Sequence, residues 1–410
     1  MEQASFKVYG YRWVVLIAFM FVVLVNQLLW ITFAPITSSA AAYYEVSDLS
    51  IGLLSMSFMI VYIVVSIPAS WVIDTYGIRV AVGIGAVLTG AFGLFRGLAA
   101  GNYTLVLIAQ IGIAVGQPFI LNAITTVAAR WFPMQERATA SGLGSLAMYV
   151  GIVAGMALTP YLVLQSNIDR TLIIYGVVAV LAAFVFFGAI KERPPTPPCL
   201  PGQEERSLVF DGLKQIVRQK DFILLMLVFF VGLGTFNGVT TWIENIVRPK
   251  GFSITQAGII GGLMVVGGIV GAVVLPLLSD HYRRRVPFLI LSVVGATVGL
   301  AGLTFATSYW LLLVSAAILG FFLLSAGPIG FQYGAEVTYP VPEGTSNGLL
   351  LLMGQISGII FIFGMDMSKS PQTGSMMPSL IVLIGLMVLV LLLCTRLGES
   401  PALMAEDAGK

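Results

Sequence analysis

Twelve runs of roughly twenty apolar residues dominate the chain, near 11–36, 50–73, 80–99, 103–131, 138–164, 171–190, 221–247, 256–279, 286–306, 309–335, 344–367 and 376–395. A bilayer core ~30 Å thick takes ~20 residues of helix to cross, because every backbone N–H and C=O must find its partner inside the segment. The pattern therefore predicts an all-α membrane protein with twelve transmembrane helices. Composition excludes the alternative of a water-soluble domain: 58% of the 410 residues are hydrophobic and 10% are charged, against ~25% charged in soluble proteins. The first run is too long for a secretory signal core and lacks a small-residue cleavage site, so it is expected to be retained.

Charge sets the orientation. With both termini inside, sixteen of the 21 Lys and Arg fall on the inner side; Arg96, Arg170, Arg248, Lys250 and Lys369 lie outside or at the outer edge. Positive loops stay cytoplasmic, so both termini are expected there, in a multi-pass protein of the plasma or cell inner membrane. A net charge of +2 gives no footing for a nucleic-acid partner. Two cysteines, Cys199 and Cys394, and one histidine, His281, leave no disulfide framework and no metal cluster. No cofactor or metal is expected, and the absence of H-E-x-x-H, G-x-S-x-G or paired central aspartates argues against an enzyme.

Residues 191–220, KERPPTPPCLPGQEERSLVFDGLKQIVRQK, break the apolar pattern with prolines and charge, the composition of a linker. Its later part, from about Ser207 to Lys220, has helical apolar spacing suited to the membrane surface. The expected organisation is a six-helix bundle over 1–190, a cytoplasmic linker over 191–220 and a second six-helix bundle over 221–410. The halves repeat. Asp74 and Arg79 match Asp280 and Arg285 at an interval of 206, while Pro133, Glu136 and Gly142 match Pro340, Glu343 and Gly348 at 207 or 206. Equivalent loops on the same side of the membrane describe a parallel repeat about an axis along the membrane normal.

The loop SWVIDTYGIRV (70–80) carries Asp74, Gly77 and Arg79, with Ser70 and Thr75 where a second Gly and an Arg are usual; SDHYRRR (279–285) is a weaker copy, and RWFPMQERATASG (130–142) follows span four. These segments resemble the signatures of the major facilitator superfamily. That resemblance implies two pseudo-symmetric six-helix bundles and a cytoplasmic latch made by Asp74, Gly77, Arg79, Asp280 and Arg285, favouring the outward-open state. Gly77 permits a tight turn, and Asp74 suits the positive end of a helix with Arg79 as its partner. The simpler reading is that these charges anchor helix ends and set topology.

A closer resemblance covers residues 12–145 and, more weakly, 235–365. Asn26 and Trp30 in span one, Leu54-Ser55-Met56, Tyr62, Pro68, Trp71, Asp74 and Thr75 around span two, Gln117 in span four and Gln355 in EGTSNGLLLLMGQISGIIF (343–361) resemble the feline leukaemia virus subgroup C receptor family. That family is known for choline and ethanolamine transport and, earlier, for haem export. The resemblance implies a choline site with Trp30 and Gln117, and Gln355 nearby. The family's span-seven aromatic is replaced here by Asn237 in GTFNGVTTWIENIV (234–247). Haem finds no His or Cys at an expected cavity position.

The residues themselves support either a chamber or ordinary packing. An indole holds a quaternary ammonium through its face, at ~0.5 to 2 kcal/mol per contact, so Trp30 suits that role; packing against a neighbouring helix or lipid is the alternative. Asn26, one turn earlier, lies on the same side. Gln117, beside Pro118 and two turns after Gln110, needs a partner for its amide or a wet cavity, and the same choice applies to Gln355. In span seven Asn237, Thr241 and Glu244 share a face, with Trp242 beside them. Glu244 either couples transport to a cation or proton, or reaches the outer headgroups and pairs with Arg248 or Lys250.

The expected function is a monomeric solute carrier working by alternating access on a small organic cation or amine such as choline. An organic anion or monocarboxylate is the alternative, with Arg96 the candidate countercharge within a span; a non-transporting receptor would be a third class.

Overall fold

In the computed structural model, residues 8–196, 216, 219–339, 341 and 343–399 are described. Twelve helical spans, each long and apolar enough to cross a bilayer, run Arg12–Tyr44, Asp48–Tyr76, Ile78–Leu98, Tyr103–Trp131, Met134–Gln165, Ile168–Ala189, Lys220–Thr241, Ile254–Tyr282, Val286–Phe305, Tyr309–Thr338, Glu343–Met367 and Met377–Cys394; they are numbered 1 to 12 below. The amphipathic stretch expected before span 7, and Pro340 of the repeat, lie outside the described residues.

The chain forms two compact units. The first comprises Met1–Phe33 and Ser39–Ser207; the second comprises Ala34–Ser38 and Leu208–Lys410. Within the first unit, span 3 packs on span 6, span 4 on spans 2 and 3, and span 1 on spans 5 and 6. In the second, span 10 is gripped by spans 8 and 9, and span 7 lies against span 11. Small residues let these backbones approach: a Cβ added at Gly176 in span 6 would sit 2.7 Å from the Gly93 carbonyl of span 3, so glycine is what permits the contact.

Polar residues start the helices where the apolar runs begin. Ser47 accepts from the Ser50 amide at 3.2 Å, Asn102 from Leu105 at 3.1 Å and Asn167 from Arg170 at 2.8 Å, each satisfying an orphan N–H at a helix start. Ser253 builds a reciprocal capping box with Gln256. Ser47 and Ser253 are 206 residues apart, so the caps of spans 2 and 8 follow the repeat.

Spans 1, 4 and 7 differ from the continuous helices expected. Span 1 continues to Tyr44 rather than stopping near 36, and its α-helix ends at Ile31 before a single 3-10 turn, Ala34–Ile36, and a second helix, Thr37–Tyr44. Span 4 is interrupted at Asn122 and Ala123, four residues past Pro118, whose missing N–H weakens the preceding ladder. Span 7 ends at Thr241 instead of 247. Trp242 leaves helical geometry and only a short helix, Ile243–Val247, follows.

Candidate functional site

The first unit's polar residues were expected to meet in a chamber, and the structure divides them. Asn26 is fully buried: its Nδ2 donates to Thr89 Oγ1 of span 3 at 3.1 Å, and its Oδ1 accepts from Gln27 at 3.3 Å. It therefore ties span 1 to span 3 rather than presenting a free amide. Trp30, 6% exposed, donates its indole N–H to the Ser55 carbonyl of span 2 at 3.3 Å, which fixes the ring plane. Gln117, also 6% exposed, makes no hydrogen bond among the described residues. A buried carboxamide without a protein partner is costly unless water or a ligand serves it, so Gln117 is an unmet polar demand of the unit, as are the enclosed Tyr44 hydroxyl and Arg96 Nε, which find no hydrogen-bond partner among the described residues.

Gln110, on the same stripe, is committed. Its Oε1 accepts from Arg96 Nη1 at 2.8 Å, and the same nitrogen donates to the Leu29 carbonyl at 3.0 Å. Arg96 Nη2 reaches Thr32 Oγ1 at 3.4 Å, and the guanidinium carbon lies 5.6 Å from the centre of the Phe33 ring. Arg96 is wholly buried. It sits in the last turn of span 3, the end-of-span place expected for it, and closes the end of span 1's first helical segment, where the negative end of the helix dipole and orphan carbonyls receive its charge. Among the described residues it is the one fully enclosed cation within a span.

A second polar group surrounds the span 4 interruption. Tyr62 donates to Asn122 Oδ1 at 2.7 Å, and Asn122 Nδ2 donates to the Ser66 and Ser70 hydroxyls at 3.0 Å each. Tyr62, Ser66 and Ser70 recur every four residues along one face of span 2, but apart from Tyr62 sequence reading left them unused, and no local spacing joins them to Asn122 of span 4.

In the second unit Asn237 donates to the Gly354 carbonyl at 3.2 Å, linking spans 7 and 11. Gln355, the next residue, is half-buried and has no hydrogen-bond partner among the described residues. Trp242, expected beside the substrate, is completely enclosed, with its indole N–H on the Ile362 carbonyl at 2.9 Å; it anchors span 7 to span 11. Glu244 is 2% exposed and receives the Ser38 amide at 3.1 Å and the Ser38 hydroxyl at 2.7 Å, with Arg248 Nη1 at 3.8 Å. Both expected faces of Glu244 are thus present, a deep carboxylate and a pairing with Arg248. Lys250 takes another course, donating to the carbonyls of Leu303, Thr304 and Ala306 at 2.7 to 2.9 Å. Burial pulls its amine down to about 8.

The two loop clusters are unlike. Gly77 has φ +88° and ψ 178°, a region open essentially to glycine, and a Cβ there would collide with the Glu192 carboxylate. That carboxylate accepts the amides of Ile78 at 3.1 Å and Arg79 at 2.8 Å and pairs with Arg130. Asp74 is exposed, and no described side chain pairs with the Arg79 guanidinium; the expected Asp74–Arg79 pair is not formed. In the second unit the counterpart is formed: Arg285 bonds Asp280 and reaches Glu336 at 3.0 Å, while its amide donates to Glu399 at 2.8 Å. Burial depresses the Arg285 guanidinium, but the bonds from Asp280 and Glu336 outweigh it and raise its pKa. Glu192 and Glu399 are 207 apart; Glu192 accepts the first amides of span 3 and Glu399 those of Arg285 and Val286 at the start of span 9. Sequence analysis missed this pair although the repeat interval itself marks it.

Comparison with known proteins agrees with this architecture. The chain is 30% identical over 379 residues to solute carrier family 49 member A3 of Xenopus tropicalis, covering 88% of this chain and 78% of the relative. It is 29% identical to the choline/ethanolamine transporter flvcr2a of Danio rerio, over 87% of this chain and 80% of that protein. Among solved structures, an inward-facing bacterial homologue of the human lysosomal transporter Spinster superposes with a TM-score of 0.70 at 16% identity, covering 95% and 96% of the two chains. The family model of the Major Facilitator Superfamily matches residues 15–362. On its twelve spans, its sequence and its fold, the chain is a membrane transporter that belongs to the Major Facilitator Superfamily.

Proposed function

We propose that the protein carries a small organic cation or amine, choline-like in its chemistry, across the membrane by alternating access, with its termini on the cytoplasmic side. The observation that carries this reading is the unpartnered carboxamide of Gln117 in a unit whose one enclosed cation, Arg96, is already committed to Leu29 and Gln110. An organic anion needs a positive group it can reach, and Arg96 is wholly enclosed, with Nη1 held by Leu29 and Gln110. A quaternary ammonium needs no countercharge of full strength: it is held by aromatic faces and amide dipoles. Trp30 and Gln117 supply these in the first unit. Gln355 is the corresponding free carboxamide in the second, and Asn237 stands beside it through Gly354. The relatives named choline/ethanolamine transporters support the same substrate class. Asn26 and Trp242 support the site by fixing spans 1 and 7.

Proteoliposomes carrying the purified protein are expected to take up labelled choline saturably and to exclude a labelled monocarboxylate. Trp30→Ala and Gln117→Ala are each expected to lower apparent affinity about tenfold, equivalent to ~1.4 kcal/mol, with unchanged elution on size exclusion. Monocarboxylate uptake without choline uptake defeats the substrate assignment; wild-type choline affinity in both variants defeats the site.

A further inference from the structure

A groove of 560 Å³ opens on the outside of the first unit between spans 3 and 6. Its floor and walls are Gly83, Ile84, Val87 and Leu88 of span 3 and Phe187 of span 6, and Arg79 stands at one end. The hollow exists because residue 83 has no side chain: a Cβ there would lie 3.2 Å from the Phe187 ring. Its walls are exposed in the isolated chain, Val87 at 50% near the middle of span 3 and Phe187 at 44% near the end of span 6, on spans whose apolar length marks them as lipid-embedded. From Arg79 to Leu88 the groove follows nine residues of helix, about 13 Å at 1.5 Å per residue. It is a slot for an acyl chain with a guanidinium where the headgroup would lie.

The second unit treats the counterpart of that guanidinium differently. Arg285, the repeat counterpart of Arg79, is held by Asp280 and Glu336. In the first unit Arg130 pairs with Glu192 and also lies near enough to Asp74 to act on its carboxyl. Glu192 in turn uses both oxygens on the backbone amides of residues 78 and 79. Arg79 thus stands at the mouth of an apolar groove with no acidic side-chain partner among the described residues. We propose that this groove binds an anionic phospholipid, its phosphate on Arg79 and an acyl chain along Gly83 and Phe187. A basic residue at this depth contributes ~1 kcal/mol toward an anionic headgroup, and the buried methylenes add the larger, headgroup-independent part.

Native mass spectrometry of the intact protein, released from micelles doped with phosphatidylglycerol or phosphatidylcholine, tests the assignment. Phosphatidylglycerol is expected to stay bound in preference to phosphatidylcholine. Arg79→Gln is expected to reduce that preference about fivefold, the equivalent of ~1 kcal/mol. Val87→Trp, which fills the slot from its exposed side without entering the packed core, is expected to reduce retention of both lipids. Arg284→Gln, removing an exposed arginine of the second unit, is expected to leave the preference intact. Equal retention of the two lipids by the wild type, an unchanged preference in Arg79→Gln, or an equal loss in Arg284→Gln each overturns the proposal. Unaltered retention in Val87→Trp overturns the placement of the acyl chain.

Discussion

Several side chains here are decided by a single geometric demand. Gly77 combines a positive φ with a neighbour, Glu192, lying where a Cβ would go. Gly77→Ala is expected to cost about 1–3 kcal/mol from backbone conformation alone, visible as a lowered melting temperature in detergent; an unchanged melt would show that the turn can be rebuilt. Lys250 holds three carbonyls at the end of span 9, and burial brings its amine down to about 8. Since an ordinary lysine titrates near 10.4, the folded chain binds fewer protons than the unfolded one between these values. Linkage then makes this residue's contribution to stability rise with pH across the window from about 8 to about 10.4. Amine-reactive labelling of Lys250 is expected to reach half its maximum near pH 8, and a midpoint near 10 would contradict the burial argument. The sequence disclosed that Gln117 and Glu244 are costly in hydrocarbon and that Trp30 either lines a cavity or packs, but not which of them is satisfied. That distinction lies in partners such as Ser55 and Ser38, which sit on other spans and leave no trace in local spacing.

At the scale of helices, twelve apolar runs were readable because each must satisfy its own backbone, and their order left little freedom in topology. The interruptions were readable only in part. Pro118 hints at the break in span 4, and Pro35, which cannot donate to the Ile31 carbonyl, marks where the first helix of span 1 stops; what nothing local announces is that a residue from span 3 takes the Leu29 carbonyl. Arg96 is that residue. Replacing it by Met is expected to leave the Leu29 carbonyl without its charged donor and to destabilise the chain by about 1.5–3 kcal/mol, read as loss of folded protein on heating. A variant as stable as the parent would mean the span 1 break closes itself. The Trp242 break follows a comparable logic, since its indole N–H on span 11 holds the chain out of helical register.

For the molecule as a whole, the duplicated unit was visible in Asp74, Arg79, Asp280 and Arg285, yet the two copies use these residues differently. The carboxylates of Glu192 and Glu399 are what remain common to both, each closing the start of a span in its own unit. Neutralising either to Gln is expected to lower stability by about 1–2 kcal/mol, and because the sites share no partner the double variant is expected to show the sum. A strongly non-additive double variant would reveal that the units do not respond independently. The division between units also falls in an unexpected place. Five residues of the first span, Ala34–Ser38, group with the second unit, where Ser38 serves the Glu244 carboxylate. A gene cut in the linker would consequently hand one fragment a strap belonging to the other. Such fragments, produced together, are expected to be recovered as a pair on a single affinity tag, joined by that borrowed piece of chain.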